Sequence, residues 1–154
     1  MDVRDLSQMA PRRWNEEIGG IKWLPRLIDK TRAANAGTLG LYLYGQSPVD
    51  RSLLRALGLR YSEFTKIVGN ALGDDDVFRE IALKTPDGIE RARMWSSALP
   101  RRLGLFLLVL DLDDGYLQGP FWSVLRWPTT IAANAVSAAA KRLWPSRGTR
   151  KLDA

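Results

Sequence analysis

Proline recurs at the start of one apolar segment after another, and that placement constrains the fold more than any other feature of the chain. Pro25 follows Trp23-Leu24 and opens a segment that turns Leu27 and Ile28 inward and closes before Gly37. Ser47-Pro48 sets an N-cap before a first-turn proline, leading into VDRSLLRAL and Gly58. Thr85-Pro86 repeats the arrangement before DGIERARMWSSAL, Pro100 begins another apolar segment, and Pro128 begins TTIAANAVSAAAKRLW. The first helical turn has no partner for its N–H groups, so a residue lacking one, with φ already fixed, costs least there. Ser62 is placed to cap YSEFTKIV, and Asp74, Asp75 and Asp76 precede VFREIALK, where a helix N-terminus favours negative charge. Only GTLGLYLYG (Gly37–Gly45) alternates like a strand. With 154 residues, 45% of them hydrophobic, the chain is long enough for one core. The expected fold is mainly α: a compact helical single domain over residues 1–120, with a C-terminal extension over 121–154 containing one amphipathic helix.

Absences narrow the chemistry. The chain has no Cys and no His, which removes thiolate sites, the usual neutral-pH base and the commonest metal ligand. The acidic stretch LFLLVLDLDDGYLQG puts Asp111, Asp113 and Asp114 at the first, third and fourth places of a calcium-type loop, with Trp122 at the twelfth. Such a loop wants acids at the first, third and fifth places and glutamate at the twelfth. A buried helix ending in a polar turn is the better reading, with Asp113-Asp114-Gly115 as turn residues. No glycine pattern of a phosphate loop occurs. No catalytic residue, metal or cofactor is expected. The polar N-terminus does not read as a signal peptide, and the longest apolar run, Leu105–Leu110, falls short of the roughly 20 residues of a spanning helix. The expected location is cytoplasmic, with a peripheral position at a membrane surface as the finer option.

One dense charged cluster stands out: Arg26, Asp29, Lys30 and Arg32, spaced at helical neighbours. Arg26, Lys30 and Arg32, with Arg12, would make an anion pocket for phosphate or carboxylate, and Gly19-Gly20 would allow close backbone approach. Against that stands a solvated helix face whose ion pairs contribute a few tenths of a kcal/mol each. The sequence favours the solvated face.

Charge is concentrated at the C-terminus. Six of the 23 basic residues but only one of the 17 acidic ones fall in 121–154, so this segment carries +5 of the net +6. On a helical wheel Thr130, Asn134, Ser137 and Lys141 share a polar face, while Ala132, Ala135, Val136, Ala139, Ala140, Leu143 and Trp144 share the apolar one. Phe121, Trp122, Trp127 and Trp144 with Arg142, Arg147, Arg150 and Lys151 have the composition of an interface anchor and its rim. The bland alternative is a helix that packs on its own domain. Among partners a larger protein complex ranks first and an anionic membrane surface second. Nucleic acid ranks last, because the basic residues are too few and too scattered to form a stripe.

The residues also resemble a family. Asp5-Leu6, Pro11-Arg12, Gly19-Gly20, Leu24-Pro25-Arg26, Asp29-Lys30 and Arg32-Ala33, then TPDGIERARMWSSA and LLVLDLDDGY, are similar in order to bacterial domain-of-unknown-function family 5069 over about residues 5–116. The stretch between Trp95 and Leu105 is shorter than that family's pattern, and the extension lies beyond its usual end. The resemblance implies a helical fold and brings no reaction with it. The function expected is a non-catalytic accessory subunit docking on a larger assembly, with a membrane-bound respiratory or photosynthetic complex as one host. The alternative is an anion- or small-molecule-binding protein, or an enzyme, using the charged cluster.

Overall fold

A computed structural model of the chain describes residues 3–117. Within them a two-residue antiparallel hairpin, β1 (Glu17–Ile18) and β2 (Ile21–Lys22), turns at Gly19-Gly20, both with positive φ. Six helices follow: α1 (Leu24–Ala36), α2 (Pro48–Leu57), α3 (Tyr61–Asn70), α4 (Asp74–Lys84), α5 (Pro86–Ser97) and α6 (Leu99–Asp113). The domain is mainly α, as the proline punctuation predicts. Pro25, Pro48, Pro86 and Pro100 each fall in a first turn, and Ser47 Oγ accepts from the Asp50 amide.

Three local expectations need correction. Gly37–Gly45 makes turns and bends in place of a strand. Its glycines at 37, 40 and 45 all take positive φ, a conformation that an extended strand does not use. Ser62 lies inside α3; the cap falls two residues earlier, at Arg60, where Glu63 reaches back to the Arg60 amide at 2.9 Å. The apolar run Leu105–Leu110 is largely exposed: Leu107 is buried and Leu110 partly so, but Leu105, Phe106, Leu108 and Val109 face outward.

The core gathers around α1, which is buried from Leu24 through Ala33 on every side. Leu24, Leu27 and Ile28 meet Leu53, Leu54 and Leu57 of α2, Phe64 and Val68 of α3, and Val77 and Ile81 of α4 within one cluster. Helix α5 approaches α2 closely because Gly88 has no side chain; a Cβ there would stand 2.2 Å from the Leu57 carbonyl oxygen. Phe78 packs over Gly19 in the same way, tying the hairpin to α4.

Candidate functional site: the charged core around helix α1

A helix buried all round can carry charge only if each charge meets a partner, since an unpaired buried ion costs several kcal/mol. Helix α1 carries four ionisable side chains into the interior. Arg26 is 2% exposed and Lys30 4%, and Asp29 and Arg32 are buried as well. The solvated face expected from spacing is therefore not formed. The spacing does put the four on neighbouring turns, but the hydrophobic elements close over them and bring carboxylates from other segments.

Lys30 pairs with Asp50 at the first turn of α2, and the Trp23 indole donates to the same carboxylate at 2.8 Å. The Trp23 ring lies beneath both Lys30 (5.7 Å) and Arg26 (5.5 Å). These contacts hold Trp23 at φ 70, a left-handed conformation unusual for a side chain of that size. Burial pushes the Lys30 ammonium below its ordinary value, opposed by the charge of Asp50.

Arg26 is sandwiched between the rings of Trp23 and Tyr42, and its Nη1 donates to Asp114 at 2.7 Å. Tyr42 donates its hydroxyl proton to the other oxygen of Asp114 at 2.9 Å. Burial first, then the nearby Asp114 charge, raises the Tyr42 phenol well above its usual range.

At the outer edge Arg12 binds two carboxylates. Its Nε and Nη2 grip Asp29, whose Oδ2 also accepts from the Arg12 backbone amide at 2.8 Å, and its Nη1 pairs with Asp74. Arg32 Nη1 donates to the other oxygen of Asp74 at 2.6 Å. Burial alone would raise the Asp74 carboxyl, yet the hydrogen bonds and charges of Arg12 and Arg32 outweigh it and hold the group below 3.8. Burial likewise opposes the charge on Arg12, but its two aspartates leave it with a net upward shift.

The end of α6 closes the arrangement. Asp111 accepts Arg13 through Nε at 3.0 Å and Nη2 at 2.6 Å, and the Trp14 indole at 3.0 Å. The Tyr116 hydroxyl donates to the Pro11 carbonyl at 2.6 Å. The aspartates that end the helix are thus also the bolts that fix it to the N-terminal segment and α1.

All four residues expected to bind an anion, Arg12, Arg26, Lys30 and Arg32, meet here, and each already faces a carboxylate of the chain itself: Asp29, Asp114, Asp50 and Asp74. Among the described residues, Arg32 Nε and Nη2 and Arg26 Nε are buried and meet no hydrogen-bond partner. Sequence reasoning did not find Asp50 or Asp74 as partners. Asp50 reads as an ordinary first-turn acid and Asp74 as a helix-dipole residue, and both serve that role too. The expected partner-binding residues Phe121, Trp122, Trp127, Arg142, Trp144, Arg147, Arg150 and Lys151 lie outside the described residues. Among the described residues, no group of acidic side chains could hold a metal ion, and no helix is long and apolar enough to cross a membrane.

Together the fold and its interior define a small, mainly helical domain organised around a central charged helix. The chain belongs to the family described as domain of unknown function (DUF5069), whose model matches residues 8–102. The match spans the hairpin, α1 through α5 and the first residues of α6, narrower than the resemblance read from the sequence. No curated protein matches the chain.

Proposed function

We propose that this chain is a bacterial, cytoplasmic, non-catalytic accessory protein that docks on a larger protein assembly through its C-terminal extension. The observation that carries this reading is the internal pairing of the charged core: Arg12, Arg26, Lys30 and Arg32 are each matched by an aspartate of the same chain. The most concentrated polar chemistry of the body is thereby engaged in joining its helices. Recognition chemistry is left to residues 121–154, which combine aromatic anchors with five units of net positive charge. A membrane-bound bioenergetic complex suits that composition, because its surface offers both apolar crevices and anionic lipid at the rim.

Two contributions to docking are separable by experiment. An aromatic anchor in a desolvated pocket contributes roughly 2 kcal/mol or more, while rim charges act mainly on encounter rate. The native chain should retain its partner from its own cells, and Trp127→Ala should speed dissociation at any salt. Replacing Arg142, Arg147, Arg150 and Lys151 by Ser should slow association at low salt and leave dissociation nearly unchanged. If the charge variant loses all binding and the tryptophan variants lose none, the contact is electrostatic and the protein-docking reading fails.

A second reading has one specific observation in its favour. Arg32 presents Nε and Nη2, the edge of the guanidinium that grips planar anions side-on, to no hydrogen-bond partner among the described residues. The charged core would then take a phosphate or carboxylate, as a binding site or part of an enzyme. Calorimetric titration with inorganic phosphate tests it: saturable binding lost in Arg32→Leu would support this site, and no heat would remove it.

A further inference from the structure

Before the hairpin, the chain lies on the body as a peptide lies in a groove. Residues 3–16 belong to no helix or strand, and the proline at 11 favours an extended path at Ala10. Proline has no N–H, so the main chain of Pro11-Arg12 offers three polar groups, and side chains of the body meet all three. Tyr116 donates its hydroxyl to the Pro11 carbonyl at 2.6 Å, Asp29 accepts the Arg12 amide at 2.8 Å, and Arg26 donates to the Arg12 carbonyl at 3.3 Å. Helices and sheets answer such groups with backbone; here α1 and the residues after α6 answer them with side chains.

The segment's own side chains are received as well. Arg12 forks onto Asp29 through Nε at 3.0 Å and Nη2 at 2.8 Å and pairs with Asp74 through Nη1. Arg13 forks onto Asp111 and lies 5.9 Å from the centre of the Tyr116 ring, and the Trp14 indole shares Asp111. Farther back Leu6, 3% exposed, is the apolar anchor; its carbonyl lies so near Gly40 that a Cβ there would stand 2.6 Å away. Two carboxylates of the body depend on this segment. Asp29 and Asp111 are 5% and 4% exposed, and among the described residues their carboxylates meet partners only from residues 4–14. Without the segment both would be buried charges with no partner, which is costly.

We propose that the groove bounded by α1, the start of α4 and the end of α6 is a binding site for an extended Pro-Arg-Arg-Trp peptide. The chain's own residues 11–14 fill it here, and a segment of the same chemistry on another protein fits it when they leave. Consecutive side chains of an extended chain point to opposite sides, and the groove holds one carboxylate ready for each arginine. Lysine serves poorly, since a point charge cannot match a two-oxygen fork. A tethered segment has an effective concentration in the millimolar range, so the N-terminus acts as a competitor that any incoming peptide must displace. This surface is separate from residues 121–154 and does not rest on the docking assigned to them.

In the full-length chain, Arg12→Ala with Arg13→Ala removes the forks that fill the groove. A fluorescein-labelled peptide of residues 5–14 should bind this variant saturably and the unaltered chain at least tenfold more weakly. The same peptide with lysine at both arginines should lose affinity for the variant tenfold or more. No saturable binding, equal binding to both chains, or equal binding of the lysine peptide would overturn the proposal. Hydrogen exchange on the unaltered protein is independent of whether the variant folds. The Arg12 amide should exchange at least tenfold faster than the buried amides of α1, and unlabelled peptide at millimolar concentration should speed it further while α1 stays protected. Exchange of Arg12 together with α1, or exchange indifferent to the peptide, would make the segment an inseparable part of the core and overturn the proposal.

Discussion

Asp50 accepts from a lysine and an indole at full burial, and its removal should be felt more than that of any surface acid. In Asp50→Asn the Lys30 amine loses the carboxylate it pairs with, in a buried place that already disfavours its charge. Breaking a buried pair from one side costs about 3–5 kcal/mol. Urea denaturation should show a loss of that order, and adding Lys30→Met should recover part of it, because the stranded charge is then gone. If the double variant is no more stable than Asp50→Asn, Lys30 is not the group that suffers. Gly88 poses a steric case of the same scale. Its Cβ would collide with the Leu57 carbonyl, so Gly88→Ala must push α5 from α2 and should cost roughly 1–3 kcal/mol, the range for overpacking. An unchanged urea midpoint would mean that the two helices slide apart freely.

Elements are also joined by charge at the start of α4 and at the end of α6, and each junction has its own signature. At the start of α4, Asp74 bridges Arg12 and Arg32. Its folded carboxyl is held below 3.8, the ordinary value, so in acid the unfolded chain binds more protons than the folded one. The contribution is complete above 3.8 and fades as pH falls below it toward the folded value. Chemical denaturation from neutrality downward should therefore show an acid slope that Asp74→Asn flattens. An identical slope in the variant would place the acid sensitivity elsewhere. At the end of α6, Asp111 and Asp114 are already occupied by Arg13 and Arg26. Titration with calcium, magnesium or zinc should give no stoichiometric heat. A clean isotherm abolished by Asp113→Asn would show that metal competes with those arginines.

For the whole molecule, the described core closes on residues from Leu6 to Leu112. A chain ending at Gly119 should keep a helical circular dichroism spectrum and a cooperative thermal transition. Loss of cooperativity would make residues 120–154 part of the core and would remove the basis for a separable docking segment.

Local rules made the helices legible, because a proline, a capping serine or a closing glycine acts over one turn and leaves its mark in neighbouring residues. The family resemblance was legible for the same reason, being carried by ordered short segments. Around Gly37–Gly45 the alternation of Leu and Tyr misled, since positive φ at three glycines overrides it. The destination of the charges was not legible. Spacing placed Arg26, Asp29, Lys30 and Arg32 on neighbouring turns, but a charged side chain looks the same in sequence whether water or a carboxylate receives it. Lys30 and Asp50 are 20 residues apart, and Arg26 and Asp114 are 88 apart. Only the packing of α2, α4 and the end of α6 around α1 brought those partners within reach. The same packing turned Leu107 inward and left Leu105 in the open. Sequence determined the helices and their order; burial, which depends on all of them at once, decided what each polar side chain does.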